Sequence, residues 1–124
     1  MQDAITYAQK IEDMISEIET IVDSLQEAGE IKAKGISDYD RKLAITVLKL
    51  KNGLIGTIED EDGTFISIPQ NLSVRDRELI AKGLVYMASY EKESGEAGYK
   101  GLISTLEARR AQVNALQSIN KVLQ

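Results

Sequence analysis

Between positions 4 and 28 the apolar residues Ala4, Tyr7, Ala8, Ile11, Met14, Ile15, Ile18, Ile21, Val22, Leu25 and Ala28 recur with the spacing of a helix. The subset Ala4, Ala8, Ile11, Ile15, Ile18, Val22 and Leu25 alternates steps of four and three, which is a heptad seam. A second line, Tyr7, Met14, Ile21 and Ala28, lies beside it. Two adjacent lines make a stripe wider than a two-stranded coiled coil requires and predict contact with at least two neighbouring helices. The pattern weakens at Gly29, and Gly35 is expected to end it, giving an N-terminal amphipathic helix over residues 1–34. At roughly 1.5 Å per residue the segment is about 40 Å long, and one partner helix of the same chain is not expected to cover it.

Residues 37–72 form a middle module. Ser37 followed by Asp40 has the layout of a capping box, with Asp in place of the preferred Glu or Gln. Leu43, Val47, Leu50 and Leu54 then recur at helical spacing, and Asn52-Gly53 supplies a stop. A strand is the rival reading, because residues 43–48 are rich in β-branched side chains and Asn-Gly also signals a hairpin. The helix is the preferred expectation. Leu54–Ile58 and Thr64–Ile68 flank the turn Glu59-Asp60-Glu61-Asp62-Gly63 and predict a small β-hairpin, closed by Pro69.

A C-terminal helical arm is expected over 73–124, with Ser73 as its cap. Gly95, Gly98 and Gly101 interrupt it, each costing about 1 kcal/mol against alanine in a helix interior. Either the helix breaks near 94–98 or these positions admit another backbone. Beyond them Tyr99, Leu102, Leu106, Val113, Leu116 and Leu123 follow a 3–4 alternation, with Arg109 and Asn120 in two seam positions, where polar residues commonly fix register. The expected fold is mainly α: a long antiparallel helical hairpin with a short middle helix and a small β-hairpin, assembled as an oligomeric bundle in a single domain.

The chain has 124 residues, a net charge of −5, and neither histidine, cysteine nor tryptophan. Nucleophilic sites built on His–Ser or His–Cys pairs, thiolate or imidazole metal sites, and disulfides are thereby excluded. Enzymatic activity is not expected, nor is a cofactor or a small-molecule substrate. No apolar run approaches the roughly 18–20 residues of a membrane span, and the acidic start is unlike a signal peptide. Charge is segregated. Residues 1–30 carry −7, 31–51 carry +4, 52–78 carry −4 and 79–124 carry +2.

The acidic turn 59–62 offers oxygen atoms to calcium or magnesium but lacks the remaining ligands of a calcium loop, so a hydrophilic turn is the stronger expectation. Paired carboxylates such as Glu12/Asp13 sit on an exposed helical face, and no phosphate-binding glycine loop is present. Tyr86 and Tyr90, four apart, and Tyr99 could stack on nucleic-acid bases beside Lys82, Lys92 and Lys100, though half-buried bundle aromatics explain them better.

The order of elements resembles a known group. A long amphipathic helix precedes Asp40-Arg41-Lys42-Leu43-Ala44 and Leu48-Lys49-Leu50-Lys51-Asn52-Gly53. Arg75-Asp76-Arg77-Glu78, Tyr99-Lys100-Gly101 and the run Leu106–Ile119 follow. Over residues 38–119 this resembles small coiled-coil proteins of tailed phages and prophages encoded near single-strand annealing recombinases. The resemblance implies a bacterial cytoplasmic setting and a role like that of recombination mediators, which assemble as oligomers and help load a recombinase on single-stranded DNA. The acidic arm and the three glycines, where alanine is expected, depart from that pattern.

Arg41, Lys42, Lys49, Lys51, Arg109 and Arg110 are the expected contacts to single-stranded DNA or a recombinase. Ala8, Ile11, Ile15, Ile18, Val22, Leu25, Leu106, Val113 and Leu116 are the expected interface between copies. The alternatives are an acidic antagonist of a host nuclease or immune effector, acting through Glu12, Glu17, Glu19 and Asp23, and a purely structural scaffold.

Overall fold

A computed structural model describes residues 2–51 and 56–123. In chain order these form α1 (Gln2–Lys51), β1 (Thr57–Glu59), β2 (Phe65–Ser67), α2 (Val74–Leu84) and α3 (Tyr86–Leu123). The fold class matches the expectation: mainly helical, with a long pair α1·α3, a short middle helix and a two-stranded antiparallel sheet. The packing divides the chain into two compact units, Met1–Glu30 with Ala97–Gln124, and Ile31–Glu96.

In the first unit the N-terminal part of α1 runs antiparallel to the C-terminal part of α3. Arg109 pairs with Glu17, and a side chain at Gly29 would lie 3.6 Å from the ring of Tyr99. That register places Leu106 level with Ile21 and Val113 level with Met14. Leu106 and Val113 are buried, and Tyr99, Leu102, Arg109, Leu116 and Asn120 are half-buried at the same 3–4 alternation. Among the first 28 residues of α1 the half-buried apolar positions are Ala4, Tyr7, Ile11, Met14, Ile18, Ile21, Leu25 and Ala28. This corrects the seam read from sequence. Tyr7, Met14 and Ile21 point into the pair, whereas Ala8, Ile15 and Val22 remain exposed. Both rows continue the heptad, and the larger side chains of the first remove more apolar surface from water. Within the unit α3 runs beside this part of α1: Leu106 and Val113 are buried there, and Ile11, Ile18, Leu25 and Leu116 are half-buried.

The second unit holds a core of Leu50, Ala81 and Leu84, against which Leu43, Val47, Ile58, Ile68 and Ile80 pack. Leu43, Val47 and Leu50 turn one helical face inward, which resolves residues 43–50 as helix. The hairpin pairs Thr57 with Ser67, Ile58 with Ile66 and Glu59 with Phe65. The amide of Ile68 donates to the carbonyl of Gly56 at 2.9 Å, extending the pairing. The strands are shorter than expected, and Glu59, assigned to the turn, belongs to β1. Leu54, Ile55 and the stop Asn52-Gly53 lie outside the described residues.

Two boundaries read from sequence are corrected. Neither the end of the first helix at residue 34 nor the capping box at Ser37 is used, since α1 runs through both positions to Lys51. Gly35 is buried, and a Cβ there would stand 3.2 Å from the Cα of Lys92 and 3.4 Å from the carbonyl of Glu91. Gly95 mirrors it, 3.3 Å from the Cα of Lys32. These two glycines let the backbones of α1 and α3 approach closely, and the packing gained outweighs their poor helix propensity. Of the two alternatives read for residues 94–98, the break is absent and the close approach of a backbone holds at Gly95: α3 is helical throughout. Second, the arm over 73–124 is interrupted at Val85, whose φ of −104° and ψ of 34° leave the helical region. The expected cap is present at the start of α2, where the Ser73 hydroxyl accepts from the Asp76 amide at 3.1 Å. At the interruption the Val85 amide still donates to the Ala81 carbonyl, and the Val85 carbonyl accepts from the Ser89 amide. Leu84 and Val85 are both buried, so the bend lets adjacent residues pack in different directions.

Candidate interaction surfaces

The six basic positions expected to contact DNA or a recombinase have different surroundings. Arg109 is engaged within the first unit: its Nε lies 3.1 Å from a Glu17 carboxylate oxygen and its Nη1 donates to Gln112 at 2.9 Å. It occupies a seam position and ties the register of the helix pair, which removes it as an open phosphate contact. Arg110, the next residue, is exposed.

In the second unit Lys42 and Lys49, seven apart on one face of α1, line a cleft of about 210 Å³ together with Glu59, Asp60 and Glu61. The hairpin thus sets its acids beside the basic stretch of α1, and their field opposes an incoming polyanion. Arg41 and Lys51 are exposed on the same helix. Lys51 lines another cleft, of about 420 Å³, with Gln70, Asn71 and Arg77. Sequence reasoning used Arg77 only as part of a resemblance. The signal that could have found it is Ser73 as a cap, which puts Arg77 in the first turn of α2 behind the loop Pro69-Gln70-Asn71.

The acidic turn is organised by its own backbone. Asp60 accepts from the amides of Asp62 and Thr64, at 3.0 and 2.9 Å, and Asp62 accepts from the amide and hydroxyl of Thr64. Gly63 closes the turn at φ 90°, a conformation that favours glycine. The Thr64 hydroxyl, followed by Asp60 and the Thr64 amide, lowers the Asp62 carboxyl to about 2. Tyr86 donates its phenol to Asp62 at 3.2 Å. Desolvation first, then that bond and the charges of Asp62, Asp60 and Glu61, raise the Tyr86 phenol above its ordinary value. Among the described residues no group of three acids is placed to hold a metal ion.

The half-buried packing expected of the three tyrosines holds for Tyr99 and not for Tyr86 and Tyr90, which are exposed. Tyr86 is engaged by Asp62, Tyr90 is 72% exposed, and Tyr99 is half-buried against Gly29. Tyr39, also half-buried, receives the ammonium of Lys92 at 4.6 Å from its ring centre.

Apolar side chains are exposed as well. Ile15 is 40% and Val22 45% exposed, with Ala8 in the same row. Glu12, Glu19 and Asp23 beside that row are exposed as well, as are Lys100, Arg110 and Lys121 on α3 of the same unit. Among the described residues no helix is long and apolar enough to cross a membrane. Comparison with known proteins found no matching family model, no matching curated protein and no matching solved structure.

Proposed function

We propose that this chain is a non-enzymatic accessory protein of DNA recombination or replication, of phage or prophage type, working as a self-assembled helical mediator. The observation that carries the reading is the row Ala8, Ile15 and Val22, left in solvent by the seam and flanked by Glu12 and Glu19. A second copy offers what such a row needs: apolar cover, and the cations Lys100 and Lys121 opposite the acids. Assembly then multiplies a few weak phosphate contacts, assigned to Arg41, Lys51 and Arg110, by avidity.

The test is fluorescence anisotropy with single-stranded DNA in rising salt. The reading predicts binding at about 50 mM salt that falls linearly in a log–log plot, because released counterions drive such contacts. No binding at that salt by the assembled protein contradicts it. A second reading, an acidic antagonist of a basic host surface, rests on the exposure of Glu12, Glu19 and Asp23. It predicts stoichiometric inhibition of its target that weakens when those acids are neutralised.

A further inference from the structure

The cleft at the end of α1 in the second unit has about 420 Å³ of space, within the range of small-ligand sites, and its lining includes two cations, Lys51 and Arg77, and two carboxamides, Gln70 and Asn71. Among the described residues no acid lines it. The cleft beside Lys42 and Lys49 holds three acids by contrast.

Two further features mark it. The Nε of Arg77 is buried and has no hydrogen-bond partner among the described residues, an arrangement that costs stability. Asn71 holds φ at 64°, a conformation that side-chain-bearing residues adopt only occasionally, in the loop that walls the cleft. The outer N–H groups of a guanidinium are suited to parallel hydrogen bonds to a tetrahedral oxyanion, and an ammonium adds a second, more flexible charge.

We propose that Lys51 and Arg77, with the carboxamides of Gln70 and Asn71, form a binding site for a phosphate ester. Arg77 supplies the oriented contact, Lys51 closes the charge balance, and Gln70 and Asn71 donate to the remaining oxygens. The same chemistry can come from a free nucleoside monophosphate or from one phosphate of a DNA strand. In the second case the site deepens the mediator reading; it requires neither DNA nor assembly to exist.

The test follows the Arg77 Nε–H resonance of the full-length protein by nitrogen–proton NMR at constant ionic strength. Inorganic phosphate, a nucleoside monophosphate and a single-stranded oligonucleotide are titrated in turn, with chloride as the control. A saturable shift of that resonance with any of the three, absent with chloride, supports the site. A shift with the small phosphates alone assigns a free ligand and counts against the DNA reading, whereas one confined to the oligonucleotide assigns the strand. Arg77→Gln should weaken binding by about tenfold or more, and Lys34→Gln, exposed and outside the cleft, should leave it unchanged. Lys51 is exposed, so Lys51→Gln keeps the test valid if Arg77→Gln does not fold, and it should weaken binding several-fold. No shift with any phosphate at about 10 mM, or equal affinity in the wild type and the Lys51→Gln variant, overturns the proposal.

Discussion

Asp62 shows how much a single carboxylate can do without burial. It organises Thr64 on one side and receives the Tyr86 phenol on the other, so the acidic turn is tied to the first residue of α3. Its carboxyl is lowered from 3.8 to about 2 by those bonds. A depressed carboxyl stabilises the fold above its unfolded value and loses that contribution as pH falls through its folded value. The hairpin should therefore weaken between about pH 4 and pH 2, as read by circular dichroism and amide exchange, and Asp62→Asn should flatten that window. Tyr86 has the opposite sign. Its raised phenol contributes stability below the ordinary tyrosine value, and that contribution disappears as pH rises through the folded one. In Asp62→Asn the Tyr86 phenol should titrate closer to pH 10, visible as phenolate absorbance missing from the additional Tyr86→Phe variant; an unchanged titration would contradict the contact.

At the scale of elements, the glycines of the long helices separate into two kinds. Gly35 and Gly95 are buried where two backbones meet, and an added Cβ would press on main-chain atoms that cannot rotate away. Gly98 and Gly101 face open space. Alanine at Gly98 should stabilise the protein by up to about 1 kcal/mol through helix propensity alone. At Gly35 the same gain is opposed by an overpacking cost of about 1–3 kcal/mol, so Gly35→Ala should be neutral or destabilising. Urea unfolding of the two variants checks the difference, and equal gains would remove the close approach from the account. The propensity scale explains why the first helix is expected to end at Gly35: it marks that glycine as a stop and says nothing of a partner backbone, the alternative read only for Gly95, Gly98 and Gly101. The actual interruption, at Val85, carries no glycine or proline of its own. By contrast, periodicity alone was enough for Leu43, Val47 and Leu50, and cap chemistry alone was enough for Ser73.

For the whole molecule, the pattern of the first 28 residues was legible as a helix with two apolar lines, but the choice between them was not. Both lines keep heptad spacing, and only the partner from the same chain decides that Tyr7, Met14 and Ile21 go inward and Ile15 and Val22 stay out. Of the candidate site, the exposed Arg41, Lys51 and Arg110 were readable as charge. The neutralisation of Arg109 by Glu17, the acids beside Lys42 and Lys49, and the pairing of Lys51 with Arg77 depend on contacts far apart in sequence. What the second line does is then the central question, and the mass of the particle in solution answers it most directly. Light scattering during size-exclusion chromatography should give a multiple of 13.7 kDa for the wild type. With Ile15 and Val22 both changed to lysine it should fall to 13.7 kDa with helicity retained, because the inner seam is untouched. A wild-type particle of 13.7 kDa at about millimolar concentration, unchanged by those substitutions, would contradict the account.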